Sequence, residues 1–329
     1  MRILFGIMSA VQPAETVGSL VDALGRRHPI LVHHDWSQQP GFSLERSNVS
    51  YVKEPRQTGW AAWGFSQGIL RLVEAALENH TFDYFQLLSP TCLPVRAIED
   101  FESHLAGCGA DYLIDAVRLD HEPHVLMSHG WRAYAADNSL RQRVLRRARK
   151  LYFGASVDVA RHAGLSFLAA RARVGARHAV LARMAHALTV QAQKRRGFRH
   201  PFSEAFPCYV GSTWFTASRR GCEYLVGRGK DESMLAGFSR MHIGDEMYFP
   251  SVIKNSGLPC GPAAHYIARF VDARPAWLKL EDLEEIKACG AYFARKFSED
   301  PADPVRIAAQ ALCAGRPQPV DALSSILVQ

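Results

Sequence analysis

The chain has 329 residues, 48% of them apolar, enough for one large domain or two closely packed ones around a real core. Its net charge is +7, yet residues 141–200 hold fifteen Lys/Arg against one acid, Asp158, so that segment is +14 and the remainder −7. No run is long or apolar enough to cross a membrane, and seven cysteines without a C-x-x-C pair argue for reduced thiols rather than a zinc site or a disulfide framework.

Residues 2–9 read as a buried strand, a short apolar run of Ile3, Leu4, Phe5, Ile7 and Met8 broken by Gln12-Pro13. The run is shorter than the apolar region of a secretory signal and lacks a small-residue cleavage site, so the expected location is the cytoplasm. Residues 16–26 read as a helix with Val17, Leu20, Val21 and Leu24 on one face, and 29–35 as a second strand ending in His33, His34 and Asp35. Adjacent strand residues point to opposite faces, so the two histidines do not make a metal site. Residues 49–53 predict a third strand, 60–79 a long helix, 82–88 a fourth strand, 97–106 a helix and 111–115 a fifth strand, DYLID. Strand and helix alternate throughout, which predicts a mostly parallel Rossmann-like sheet with helices on both faces.

From about 116 to 205 the order blurs. Residues 139–151 form a basic amphipathic pattern, with Leu140, Val144, Leu145 and Leu151 on its apolar stripe. Residues 165–196 are alanine-rich and of helical propensity. The segment reads either as a solvated helical hairpin or as a surface element on anionic lipid. Nucleic acid is not expected, because aromatics for base stacking are sparse there. From 206 onward, 208–216 and 264–270 read as strands, and 218–226 and 280–289 as helices. The region 298–318 holds three prolines around one short helix, and the last residues read as a loosely held tail.

Four blocks carry chemistry. Gly244-Asp245-Glu246-Met247-Tyr248-Phe249 is a polar turn feeding an apolar helix: the glycine permits a tight backbone, Asp245 is placed to cap, and Glu246 lies in the first turn. A carboxylate held there can accept a proton, although both acids also serve simply to start a helix. The others are Phe82-Asp83-Tyr84-Phe85-Gln86-Leu87-Leu88-Ser89 with Pro94, Gly211-Ser212-Thr213-Trp214-Phe215, and Tyr292-Phe293-Ala294-Arg295-Lys296-Phe297. No D-x-D motif is present; Asp111 and Asp115, on one face of the fifth strand, are the alternative pair for a single metal.

In this order the blocks resemble the core-2/I-branching glycosyltransferases, the family of β-1,6-N-acetylglucosaminyltransferases and peptide xylosyltransferases. The likeness runs from the first strand to about residue 300 and is weakest over 120–200. It implies a GT-A-like fold in four parts. Residues 1–118 would be a nucleotide-binding half, 119–205 a basic and mainly helical insertion, 206–300 the acceptor and catalytic half, and 301–329 a C-terminal tail. Animal members carry a membrane anchor; this chain resembles a bacterial cytoplasmic version.

The resemblance implies an inverting, metal-independent transfer from a UDP-sugar to a hydroxyl of a glycan or lipid-linked saccharide. Glu246 matches the family's base. Lys296 matches the lysine that neutralises the diphosphate, helped by an arginine that is Arg274 by spacing or else Arg269. It points to Ser9, Ala10, Val11, Asp35, Trp36, Ser37 and Trp63 for the nucleotide, and to Ser212, Trp214 and Asp245 for the sugar or acceptor. Asp35 is equally a turn residue, Trp63 and Trp214 are equally core residues, and Lys296 alone would be an ordinary surface lysine.

Cys92 stands where the family has an aspartate, which opens the donor to xylose or another hexose. Peripheral contact with anionic membrane through 141–200 is expected. The reading from another class is a non-catalytic protein using that segment on membrane or nucleic acid.

Overall fold

Ile3–Ser9 (β1) is buried along its whole length, and its side chains alternate between two apolar clusters: Ile3, Phe5 and Ile7 in one, Leu4 and Met8 in the other. A strand covered on both faces belongs in the middle of a sheet. The computed structural model describes residues 1–60, 62–118, 157–161, 168–172, 202–239, 241, 243–267, 270–271 and 274–313. There β1 pairs in parallel with Ile30–His34 (β2) and Tyr84–Leu88 (β4), and β2 pairs in parallel with Val49–Tyr51 (β3). Gly6 is required at its place, since a Cβ there would lie 2.2 Å from the Phe85 ring.

Beyond β4 come Thr216–Ser218 (β11), Tyr112–Leu113 (β6) and Cys260–Gly261 (β12), giving a seven-stranded order β12-β6-β11-β4-β1-β2-β3. Only β11 runs antiparallel to its neighbours. Helices Ala14–Leu24 (α1), Ile98–Cys108 (α3), Asp282–Ala288 (α7) and Pro304–Cys313 (α8) contribute Val17, Phe101, Ile286 and Ala309 to one cluster. Trp63–Asn79 (α2), Arg219–Arg228 (α4), Glu232–Phe238 (α5) and Asp245–Lys254 (α6) contribute Leu72, Leu225, Phe238 and Tyr248 to the other. The chain is thus a mixed α/β fold with helices on both faces of a mostly parallel sheet.

A second, three-stranded sheet sets His265–Ile267 (β13) parallel to Phe293–Arg295 (β16), which is antiparallel to Leu93–Pro94 (β5). Three two-stranded pairs complete the set. Ala116–Arg118 (β7) pairs with Tyr209–Gly211 (β10), Phe270–Val271 (β14) with Arg274–Pro275 (β15), and Val157–Arg161 (β8) with Leu168–Ala172 (β9).

The structure corrects several expectations. Residues 168–172 are a strand, not helix: the alternating valines of the partner sequence VDVAR favour extended pairing over the alanine-rich helical propensity. The basic pattern at 139–151 and most of 119–205 lie outside the described residues. The strand expected over 208–216 is two strands, β10 and β11, because the loop between them is itself buried at Trp214 and Phe215 and so looks like strand in sequence.

The first part of the expected tail is a docked helix. Arg306 of α8 is fully buried, its Nη1 donating to Ser298 O at 2.8 Å and its Nη2 to Ser19 Oγ at 3.0 Å. Residues 314–329 lie outside the described residues. No helix among the described residues is long and apolar enough to cross a membrane, and none of the seven cysteines, all of them among the described residues, forms a disulfide.

Candidate functional site

From β1 the chain winds outward through β2 to β3 and then returns to place β4 on the other side of β1. Loops leaving two parallel strands at such a reversal diverge and open a crevice at the strands' C-terminal ends. At this edge lie Ala10 and Val11 after β1, Asp35 after β2 and Ser89–Cys92 after β4. Because β11 is antiparallel, the loop that precedes it, residues 212–215, reaches the same edge, fixed by Leu87 N donating to Phe215 O at 3.1 Å.

The end of β16 joins this edge by register. Ala294 faces Leu93, and Phe297 N donates to Thr91 O at 2.9 Å, so Arg295 and Lys296 lie against the loop after β4. Thr16 Oγ1 of α1 donates to Glu299 O at 2.6 Å, tying the same segment to the start of α1.

The start of α6 is tied to this edge by a hydrogen bond from Thr213 Oγ1 to Asp245 Oδ2 at 2.6 Å. Asp245 is buried; Glu246, next to it, is half-buried. Asp245 does not cap the helix, as expected from sequence; Gly244 holds the cap position without a side-chain bond, and Asp245 is the first helical residue. Nor does Gly244 supply the left-handed turn. Ile243 does, at φ 56, an uncommon conformation for a β-branched residue. Gly244 is needed instead for close approach, since a Cβ there would meet Phe238 O at 3.0 Å.

Arg295 is the cation that sequence reasoning missed. Its Cζ lies 4.7 Å from the Trp214 ring centroid, next to the residue that holds Asp245. Burial pushes its pKa down from the usual arginine value, and the nearby acids Glu246 and Asp245 oppose that shift. Burial also raises the Asp245 carboxyl, against the Thr213 hydrogen bond, the amides of Asp245 and Glu246, and the Arg295 charge. Lys296 points elsewhere: its Nζ lies 3.9 Å from the ring centroid of Trp277, which is 47% exposed. Of Arg274 the backbone alone is described, and Arg269 lies outside the described residues.

Trp214 is 6% exposed, with Phe65 edge-on, His265 tilted beside it and Arg295 over its face. The face expected to stack on sugar therefore carries a guanidinium. Ser212 Oγ accepts from Trp214 N at 3.2 Å and so shapes the same loop. Trp63 packs on Phe238 and Tyr248, supporting α6 from behind. Trp36 Nε1 donates to Phe42 O at 3.3 Å. Ser9 Oγ bonds His34 Nδ1 at 3.1 Å, while Val11 is exposed.

Asp35 has different employment from the one expected. Its carboxylate accepts from Ser37 N and Oγ, Gln38 Nε2, and Thr58 N and Oγ1 at 2.5–3.1 Å, which uses the acceptor capacity within the loop itself. Burial favours the neutral acid, yet the donors from Ser37, Gln38 and Thr58 outweigh it and hold the carboxyl well below the usual range. Its stability contribution is therefore present above the unfolded value of about 3.9 and is lost as pH falls toward the folded one. Asp35→Asn is expected to cost on the order of 2 kcal/mol near neutral pH, because an amide nitrogen would face donors. The gap in urea midpoint between wild type and variant should narrow steadily on acidification. A gap independent of pH would contradict the charged role.

Asp111 and Asp115 are not a chelating pair. They flank β6 at opposite ends, which four residues of extended chain separate by about 13 Å. Asp111 is held by Arg220 and Ser218, and Asp115 Oδ1 accepts from Ala263 N at 3.4 Å. Cys92 is fully buried, with Ser89 N at 3.2 Å and Ser89 Oγ at 3.0 Å from its sulfur, and burial raises its pKa, so it is a thiol rather than a nucleophile. No protein-family model matches the chain, and no curated protein matches its sequence.

Proposed function

We propose that the chain is an inverting glycosyltransferase of GT-A-like fold. It moves a sugar, N-acetylglucosamine on the family resemblance, from a UDP-sugar to a hydroxyl of a glycan or lipid-linked saccharide. The observation that carries this reading is the meeting of an acid-bearing helix start with a cation-bearing strand end at one edge of the sheet. Asp245 is tied to Thr213, Arg295 covers the adjacent Trp214, and Lys296 follows directly.

In this reading Glu246 takes the proton of the acceptor hydroxyl as its oxygen bonds to the sugar's anomeric carbon. The bond from that carbon to the diphosphate breaks, and the electron pair leaves with UDP. Lys296, with an arginine, neutralises the charge that develops there. Direct displacement inverts the anomeric centre and leaves no sugar on the protein. Independence from metal rests on the resemblance. A place on the inner face of a membrane rests instead on the basic charge of residues 141–200, which would contact its anionic lipid.

A different donor sugar has its own support. Cys92 replaces the family's aspartate and is buried against Ser89, so that position offers no carboxylate to a sugar. A screen for slow hydrolysis of common nucleotide-sugars tests both readings: turnover of UDP-xylose or a UDP-hexose alone selects the second, and no turnover of any donor counts against both. Lys296→Ala is expected to weaken UDP about tenfold, the scale of one charge-assisted hydrogen bond, and to leave uridine unchanged. Calorimetric titration reads both. Equal losses for UDP and uridine would remove Lys296 from the diphosphate.

A further inference from the structure

The strand end carries two neighbouring cations, and they part company. Arg295 turns inward onto Trp214 and Lys296 lies over the half-exposed Trp277. Phe293 and Arg295 are two apart in β16 and so share a side, that of Phe293 buried against His265, whereas Lys296 lies beyond the strand's end. Trp214 lies beside that same histidine, so Phe293, His265, Trp214 and Arg295 form one packed row ending at the acids.

We propose that Arg295 is a positioning residue. Its guanidinium, pinned on Trp214, is the fixed internal counter-ion of the Asp245–Glu246 pair, which leaves Lys296 to meet the diphosphate. This rests on the glycosyltransferase reading for its catalytic consequence only. The geometry behind it is a short chain of contacts. Arg295 packs on the ring of Trp214, the preceding Thr213 holds the Asp245 carboxylate at 2.6 Å, and Glu246 follows in the first turn of α6.

Around Arg295, several groups stand out among the described residues. Asp245 and Glu246 face it from α6, Cys92 from the loop after β4, His265 from β13, and Lys296 is its neighbour on the chain. Cys92 is kept neutral by burial, and burial first, then the Arg295 charge, lowers His265 to about 3, so it too is neutral near pH 7. The carboxyls of Asp245 and Glu246 are therefore the groups among these that can offset the guanidinium charge. Two adjacent acids, one buried and one half-buried, disfavour each other's charge without a cation beside them and so take up a proton more readily. A guanidinium suits the task, because it stays charged when buried and stacks flat on an indole.

The test compares Arg295→Gln with Arg295→Lys in the full chain. With the donor identified by the hydrolysis screen, the acid limb of the kcat/KM profile should move up by about one pH unit in Arg295→Gln, the effect of removing an opposite charge at close range. Arg295→Lys should hold the limb near its wild-type position, and Kd for UDP should stay within about twofold in both variants. An unmoved limb in folded Arg295→Gln would overturn the proposal. So would a loss of UDP affinity as large as that of Lys296→Ala, which would make Arg295 a diphosphate ligand.

Carbon-13 carboxyl titration of the same proteins separates this proposal from the reading beneath it. An upward shift of the Asp245 and Glu246 midpoints in Arg295→Gln, restored in Arg295→Lys, supports the counter-ion even if no donor is turned over. Unchanged midpoints overturn it even if transfer is found. Should Arg295→Gln not fold, Arg295→Lys carries the test: a wild-type limb and midpoints support the proposal, and midpoints as low as wild type in Trp214→Leu, where the ring that pins Arg295 is gone, contradict it.

Discussion

Glu246→Gln is expected to lower kcat by about 10²–10⁴-fold, the range that general-base removal covers. The substitution keeps the size of the side chain and its ability to hydrogen bond, and removes only its capacity to accept a proton. Affinity for UDP should therefore stay within about twofold, since the base acts on the acceptor and not on the nucleotide. Of the two acids, Asp245 is buried and committed to Thr213, while Glu246 is half-buried beside it. In the proposed reaction, that difference favours Glu246 for the proton transfer and leaves Asp245 an orienting role. Steady-state kinetics at fixed saturating donor decides it. Turnover retained within a few-fold would remove Glu246 as the base.

The largest expected stability effect lies in the strand that carries the cations. Phe293→Ala should cost about 3–5 kcal/mol, the loss from emptying a fully buried phenylalanine site. Phe293 is 0% exposed and contacts three rings: Phe5 of the main sheet at 6.1 Å, Phe101 of α3 at 5.1 Å and His265 of β13 at 6.1 Å. It thus joins both sheets and one helix, so little can collapse into the space it leaves. Against a total stability of about 5–15 kcal/mol, such a loss is a large share of the whole. A urea unfolding curve measures it. UDP affinity should weaken in the same variant even under folding conditions, because Arg295 and Lys296 are held in place by this strand. A loss below about 1 kcal/mol would mean that β16 is not the anchor.

Much of the fold was legible because it follows from periodicity. The runs at 2–9, 29–35 and 82–88 are apolar on both faces, as central strands must be, and they became β1, β2 and β4. The helix expected over 60–79 begins at Trp63 and otherwise follows its apolar spacing, leaving Trp60 outside it and 76% exposed. Short elements were legible in part. β6 falls within the strand expected over 111–115, trimmed to Tyr112–Leu113, whereas β5, of two residues, does not show in sequence because the partner that defines it is distant along the chain. The docking of α8 was also hidden: a buried arginine satisfied by Ser19 and Ser298 looks in sequence like a surface charge.

The site was legible in its parts and not in their pairing. Asp245, Glu246, Ser212 and Trp214 were singled out and do meet at one edge. The residue that joins them, Arg295, was passed over for its neighbour. One signal was available: within a strand, a cation two residues from a buried phenylalanine is drawn to the same buried side, where it requires an acid. Asp35 and Trp63 read in sequence either as ligand contacts or as structural residues, and in the fold each has internal partners, Asp35 by accepting five hydrogen bonds and Trp63 by bracing α6. A sequence shows residue types, whereas the number of internal partners already filling a polar group depends on the folded loop.

The central claim is that this crevice holds a nucleoside diphosphate by side-chain cations. Calorimetric titration of the wild-type chain with UDP and then uridine, in the presence of EDTA, tests it most directly. The account predicts binding of UDP at least about tenfold tighter than uridine, with no loss on chelation. Equal affinity for the two, or no binding of UDP, would contradict it.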